Sequence, residues 1–539
     1  MGGGIAMTLL DYIKRLWRQN LFLAFWLIFR GLVQTLAGMA TASALTMLAA
    51  RNLTQFLVWT GISLVGYLLF CYGIYQEIYY SQRVIQKLDT AIRSDIGARL
   101  ANQSYLDFHN QSSQSYVSWL TNDITVINTE GYRNLVDIVS QTASVIFSLI
   151  ALIHYHYSLG LLALILTIVM FVVPRLFNRP MQDQSLKRTE ANERALERFT
   201  DVLNGFDELL MFNLKRLVTQ RITHASTELA IPVNRYARTT GAMTATVNGV
   251  SILCQTVITA ATGILFFSHL VPIVALAATQ NFAGTIFAGL TGITASVMAM
   301  GATKPIFEKF ASTPSSETLT TYTTVQFQHE LRLEAVAYTY AGSLEPTLNE
   351  VSMTFKKGKK YAIVGPSGVG KSTLANIIAA KLTDYRGQIL IDNQSYLDLN
   401  PLAIRQNVLY VNQAPYLFMT TLRENITLGQ AFTDEQLTAA ITASGLDDFV
   451  QQLPDGLETV VVQDGRNFSG GQRQRIVLAR GLIRHREVVI LDEATSALDK
   501  KTALAIETTL IKNPTLTVIM ITHHLLSEVT ADLDAVYKL

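Results

Sequence analysis

Six long apolar segments, all before residue 305, restrict the N-terminal part of this chain to one kind of architecture. They lie at about 20–48, 54–80, 134–154, 158–176, 239–267 and 271–303. Each is close to or beyond the roughly 20 residues that an α-helix needs to cross about 30 Å of hydrocarbon. Hydrocarbon offers no water to backbone N–H and C=O groups, so such segments must be helices that bond internally. Charged residues make up only 16% of the chain, against roughly 25% in ordinary soluble domains. A cleaved signal peptide is considered for the first segment, because Lys14, Arg15 and Arg18 precede it and Ala42-Ser43-Ala44 resembles a cleavage site. The run from Leu21 to Ala50 is far longer than an h-region of roughly 7–15 residues. It is read as a retained span, with residues 1–6 an extension before Met7.

The loops set the orientation. The connection 81–133 carries Arg83, Lys87, Arg93, Arg99 and Arg133, and the connection 175–238 carries eleven Lys or Arg. The three short loops share only Arg51. By the positive-inside rule the N-terminus, both long connections and everything after 303 are expected in the cytoplasm. Apolar residues recur at helical spacing inside the long connections, as at Leu196, Phe199, Leu203 and Phe206. The spanning helices therefore should continue into the cytoplasm, with breaks near Asp107–Asn110 and Asn204–Asp207. Cys71 and Cys254 each sit in an apolar stretch, are expected to be buried, and form no disulfide or metal spacing. The net charge of +2 is uninformative, and no basic block argues for a nucleic-acid partner.

Composition changes after the sixth segment. The chain divides into a transmembrane domain at 1–308, a Ser/Thr-rich linker at 309–326, and an α/β nucleotide-binding domain at 327–539. The strand Lys360–Val364 runs into Gly365-Pro366-Ser367-Gly368-Val369-Gly370-Lys371-Ser372-Thr373, a G-x-x-x-x-G-K-[ST] loop before an apolar helix. Glycines let successive N–H groups turn inward around phosphate, and the helix start adds its positive end. Lys371 is placed to reach the β- and γ-phosphates of ATP, and Ser372 to ligate Mg²⁺. A second strand, Glu487–Leu491, ends in Asp492 and Glu493. Asp492 is a Mg²⁺ ligand candidate and Glu493 a general base for the attacking water. A third, Thr517–Thr522, ends in His523.

Between these lies Phe468-Ser469-Gly470-Gly471-Gln472. This segment resembles the signature of the ATP-binding-cassette (ABC) transporter family, with Phe468 in place of its leading Leu. The resemblance implies that Ser469, Gly470, Gly471 and Gln472 form an anion cradle closing over ATP held by a partner chain. It also implies roles for other residues: Tyr340 would stack on adenine, Gln413 would sense the γ-phosphate and metal, Asp499 would belong to the loop between paired cassettes, and His523 would bind the γ-phosphate. Two further segments, Leu120–Asp123 and Leu203–Phe212, look like cytoplasmic turn regions of exporters.

The implied protein is a multidomain membrane protein. A six-helix all-α domain with long cytoplasmic extensions would precede an α/β P-loop ATPase. It would be an exporter-type half-transporter in the bacterial cytoplasmic membrane, pumping a peptide, lipid or amphipathic small molecule as a dimer. A homodimer is favoured over a heterodimer because the hydrolytic residues are intact. A regulatory or sensor subunit is the alternative; a soluble ABC ATPase is opposed by the six spans. Gln463 stands where the family often has Glu, which should weaken a contact across subunits. Polar residues in the spans, Arg30, Gln34, Glu77, Asn248, Gln255, Gln280 and Asn281, either line a substrate path or bond between helices, and Arg30 and Glu77 could instead snorkel.

Overall fold

The computed structural model describes residues 8–311, 325–343, 345–413, 415–493, 500–523 and 527–539. The expected extension at 1–6, its Met7, and most of the linker (312–324) lie outside the described residues. The chain separates into two compact units, one drawn from 1–101 and 112–314, the other from 102–111 and 315–539.

The first unit is helical throughout. Its long elements are α1 (Trp17–Ala49), α2 (Leu53–Ala101), α3 (Arg133–Tyr155), α4 (Tyr157–Val172), α5 (Asn178–Asn204), α6 (Arg216–Phe267) and α7 (Ala275–Met300). Among the described residues, six helices are long and apolar enough to cross a membrane. With 49 and 52 residues, α2 and α6 run about 74 and 78 Å at 1.5 Å per residue, more than twice the ~30 Å hydrocarbon core. Helices α3 and α4 are parted by a single extended residue, His156, whose Nδ1 accepts from the Ser158 N–H at 3.3 Å. Short helices form at both expected breaks, Tyr105–His109 and Phe206–Met211. The first is capped by Ser104, whose hydroxyl accepts from the Asp107 N–H at 3.1 Å.

Lipid tails are as apolar as Leu, so these helices gain by close contact and hydrogen bonds rather than by hydrophobic burial. Gly66 lets α2 approach α1 so closely that an added Cβ would stand 2.8 Å from the Ala37 Cβ. Thr41 and Ser63 hydroxyls join the same pair at 2.7 Å, and Thr262 and Thr279 join α6 to α7 at 3.0 Å. Arg30 pairs with Glu77 and donates to the Ser140 hydroxyl, tying α1 to α2 and α3. Both charges are mostly buried, so snorkelling does not describe them. Asn248 and Gln255 bond within their own helix. Cys254 is buried as expected, whereas Cys71 faces outward among exposed side chains such as Leu64 and Leu68, because that face of α2 is not covered by another helix among the described residues.

The second unit contains two sheets. Strands β1 (Glu330–Tyr338), β2 (Leu348–Lys356), β4 (Arg386–Ile391) and β5 (Gln394–Ser395) form an antiparallel sheet in the order β2-β1-β4-β5. Strands β3 (Lys360–Val364), β6 (Val408–Val411), β7 (Val488–Asp492), β8 (Thr517–Thr522) and β9 (Ala535–Lys538) form a parallel sheet in the order β6-β7-β8-β3-β9. Strands β3, β7 and β8 are buried almost without interruption, as strands covered on both faces should be. Their carboxyl ends therefore meet at one edge, where loops carry function in open parallel sheets. Residues 102–111 belong to this unit, and Tyr105 packs against its core.

Removing one partner of a buried ion pair strands the other. Arg30→Ala should cost about 3–5 kcal/mol, seen as a lower unfolding midpoint in detergent, while the double change Arg30→Met, Glu77→Met should recover most of the loss.

Candidate nucleotide site

The phosphate loop connects β3 to helix α8 (Lys371–Ile378). Its shape depends on two glycines in the left-handed region, Gly368 at φ +86° and Gly370 at φ +102°. A Cβ on Gly370 would stand 2.6 Å from the Thr347 carbonyl oxygen, so both conformation and space require glycine. The Lys371 side chain folds back over the loop and donates to the Gly365 and Pro366 carbonyls at 2.9 and 2.8 Å. Lys371 is only 5% exposed. Among the described residues this buried ammonium, held by neutral carbonyls, has no carboxylate paired with it, and that deficit matches a phosphate group.

Strand β7 places Asp492 beside β3 and α8. The Ser372 hydroxyl donates to Asp492 Oδ1 at 3.1 Å, and the Tyr410 hydroxyl donates to Oδ2 at 2.6 Å. A hydroxyl and a carboxylate at this separation are hard oxygen donors that fit Mg²⁺. Burial, then the bond to Asp492, pushes the Tyr410 phenol well above its ordinary pKa, so it remains a donor. The Lys381 ammonium lies 3.6 Å from the Tyr410 ring centroid and 5.5 Å from that of Tyr105. Burial holds the Lys381 pKa below its ordinary value, against the opposing pull of Asp492. Neither Tyr410 nor Lys381 was legible as a site residue, because each approaches Asp492 only through sheet neighbours and a distant turn.

Glu493 follows β7 with φ +49°, a strained conformation for a residue with a side chain, and its N–H donates to the Ile521 carbonyl at 2.9 Å. That bond aligns it with the end of β8. His523 Nε2 stands 2.8 Å from Glu493 Oε1, and its Nδ1 stands 3.0 Å from the Gly365 carbonyl oxygen. Both ring nitrogens lie 3.5 Å from Lys371 Nζ. Tyr340 stands edge-on to Tyr338, and its hydroxyl lies 3.2 Å from Thr373 Oγ1. The structure thus brings together Gly365–Thr373, Tyr340, Asp492, Glu493 and His523. Gln413 follows β6 by two residues and is exposed. Asp499 lies outside the described residues.

Ser469–Gln472 is not part of this cluster. Ser469 caps helix α9 (Gly470–Leu482) in a reciprocal box, its N–H donating to Gln472 Oε1 at 2.7 Å and its hydroxyl accepting from the Gln472 N–H at 3.3 Å. Among the described residues no hydrogen bond joins this turn to Gly365–Thr373. Phe468 is buried edge-on against Phe449, so a hydrophobic anchor is retained where Leu was expected. Gln463 is exposed on a short 3₁₀ turn.

Residues 20–290 match the family described as ABC transporter transmembrane region, and residues 348–496 match the family described as ABC transporter. The chain belongs to the ABC transporter family. It is an exporter-type half-transporter, a multi-pass membrane protein with an ATP-binding domain in the same chain, and an ATPase coupled to transport. Among its relatives is the ATP-dependent lipid A-core flippase of Escherichia coli K12, 25% identical over 471 residues, covering 84% of this chain and 79% of the relative. The flippase of Yersinia pestis bv. Antiqua is 25% identical over 474 residues, covering 85% and 80%. The ATP-bound structure of a bacterial Atm1-family ABC exporter superposes with a TM-score of 0.82 at 22% identity, over 97% of this chain and 93% of the other.

The Gly370→Ala variant of this ABC transporter should lose nucleotide binding, read with a fluorescent ATP analogue. Its backbone strain should destabilise the ATPase domain by about 1–3 kcal/mol, read by thermal unfolding.

Proposed function

We propose that this half-transporter exports an amphipathic lipid as a homodimer, with each ATP held between the phosphate loop of one chain and Ser469–Gln472 of its partner. The observation that carries the composite site is the split within one chain. Tyr340, Asp492, Glu493 and His523 gather around Gly365–Thr373, while among the described residues the capped turn at Ser469 makes no hydrogen bond to that loop. A helix start with unmatched N–H groups favours anions. The likeness to lipid A-core flippases favours a lipid over a peptide or another small molecule. The Lys/Arg asymmetry of the loops and the bacterial relatives support a bacterial cytoplasmic membrane, with N-terminus and ATPase domain inside.

The residues then divide the work as follows. Lys371 exchanges its carbonyl partners for the β- and γ-phosphates. Ser372, Asp492 and Gln413 would hold Mg²⁺, and Tyr410 orients the Asp492 carboxylate through its 2.6 Å hydrogen bond. The metal would neutralise charge on the phosphates. Glu493 accepts a proton from the attacking water as general base. His523 holds the γ-phosphate and, through its 2.8 Å contact, orients Glu493. Tyr340 stacks on adenine. Asp499 would lie between the paired domains. ATP binding favours the closed pair of domains, and hydrolysis removes that preference, so the helix bundles alternate between two states.

Glu493→Gln should lower steady ATP turnover by about 10²–10⁴-fold while ATP binding persists; unchanged turnover would remove Glu493 from the reaction. The composite site is tested by mixing two inactive chains, Lys371→Ala and Ser469→Arg. A mixed dimer has one site damaged on both sides and one intact, so nucleotide trapping should return at one ATP per mixed dimer. No recovery would mean that each chain hydrolyses alone. Export itself is read as ATP-dependent movement of a fluorescent lipid across inside-out vesicles.

A further inference from the structure

A groove of about 240 Å³ opens between the start of α1 and the lower half of α2, lined by Arg18, Gln19, Phe22, Tyr80, Arg83 and Lys87 over the buried Val84. Its level is set by aromatic contacts. Phe22 and Tyr80 meet edge-on with ring centroids 4.7 Å apart, which fixes the two helices opposite one another. On the apolar side of that contact the helices expose Phe25, Tyr72 and Tyr75, and Trp17 is 57% exposed at the other side. Such a belt of Trp and Tyr marks the boundary between headgroups and hydrocarbon. Arg18 lies one turn beyond Phe22, and Lys87 two turns beyond Tyr79, so these cations stand about 6–12 Å past those two rings, with Arg18 at the level of Trp17.

The charges are unbalanced in a selective way. Arg15 and Arg93, nearby in sequence, have carboxylate partners at 3.2 and 3.6 Å, Asp95 and Asp89. Arg18, Arg83 and Lys87 have none among the described residues, and no acidic residue lines the groove. Arg18 and Arg83 instead rest over the rings of Trp17 and Tyr79, each 5.5 Å from the centroid, which leaves guanidinium N–H groups available. Arg83 and Lys87 are like charges one turn apart, a repulsive spacing unless an anion lies between them. The volume is below the roughly 300–1,000 Å³ of pockets that enclose a whole ligand. It suits a headgroup whose acyl chains remain in the bilayer.

We propose that this groove binds the phosphate headgroup of an anionic lipid of the inner leaflet. The inference rests on the orientation proposed above, and is independent of the cargo and of ATP turnover. Basic pockets between spanning helices on the cytoplasmic side take such headgroups because phosphate, low dielectric and the arginine forks act together.

The test uses the full-length dimer in phosphatidylcholine vesicles without nucleotide. Trace spin-labelled phosphatidylglycerol or phosphatidylcholine is added, and the immobilised fraction is read by electron paramagnetic resonance. Phosphatidylglycerol should be retained preferentially, and each groove charge removed should lower that preference about fivefold. Arg18→Gln, Arg83→Gln, Lys87→Gln together should abolish it, whereas Arg18→Lys with Arg83→Lys should keep most of it. Preserved ATP turnover of the triple variant shows that it is folded. Equal retention of the two lipids by the unaltered protein would overturn the proposal, as would a folded triple variant that still prefers phosphatidylglycerol. Displacement of the labelled lipid by inorganic phosphate in the water would overturn it too, by marking an anion site open to solvent.

Discussion

A peptide backbone in hydrocarbon must bond to itself, and the whole first unit follows from that requirement. It excludes every element except the helix across six segments, so helix ends are pushed to the membrane surfaces or beyond. The same need governs how those ends are finished. His156 supplies a side-chain acceptor where the helical ladder of α3 stops and that of α4 begins. Helices as long as α2 and α6 run well beyond the bilayer, so two of the connections turn far from lipid, while the short turn at His156 stays at the helix ends.

Charge is treated in opposite ways by the two units. In the membrane unit Arg30 is met by Glu77 and Ser140, so its burial is compensated within the fold. In the ATPase domain Lys371 is placed more deeply still, yet among the described residues it meets neutral carbonyls and His523. The first arrangement is complete without a ligand. The second awaits an anion, and the positive-φ glycines and the strained Glu493 show where local stability is given up for geometry. Around Asp492 the accommodation runs outward: Ser372 and Tyr410 bind its two oxygens, and Lys381 lies between Tyr410 and Tyr105, a residue from the segment that follows α2.

Much of this was legible in the sequence because the signals are local. Apolar length marks a span, and Asp107–Asn110 and Asn204–Asp207 mark breaks that became the short helices at Tyr105 and Phe206. The strand expected at Lys360–Val364 has those ends in the structure, and the one expected at Glu487–Leu491 lies one residue later, at Val488–Asp492. Tyr410 and Lys381 were missed because no spacing links them to Asp492; they meet it only when β6 lies beside β7. Cys71 was misjudged because an apolar stretch has two faces, and only packing decides which one turns outward.

The sequence alone determined the spans, the phosphate loop and the order of its chemical groups, since each depends on residues within a few positions of one another. Tertiary structure decided what touches what. It paired Arg30 with Glu77 across α1 and α2, and brought Lys371, Glu493 and His523 together from the ends of three adjacent strands. Among the described residues it left Ser469–Gln472 with no hydrogen bond to the phosphate loop. The reason is that strand order and helix rotation are set by the packing of the whole unit, and no local spacing encodes them.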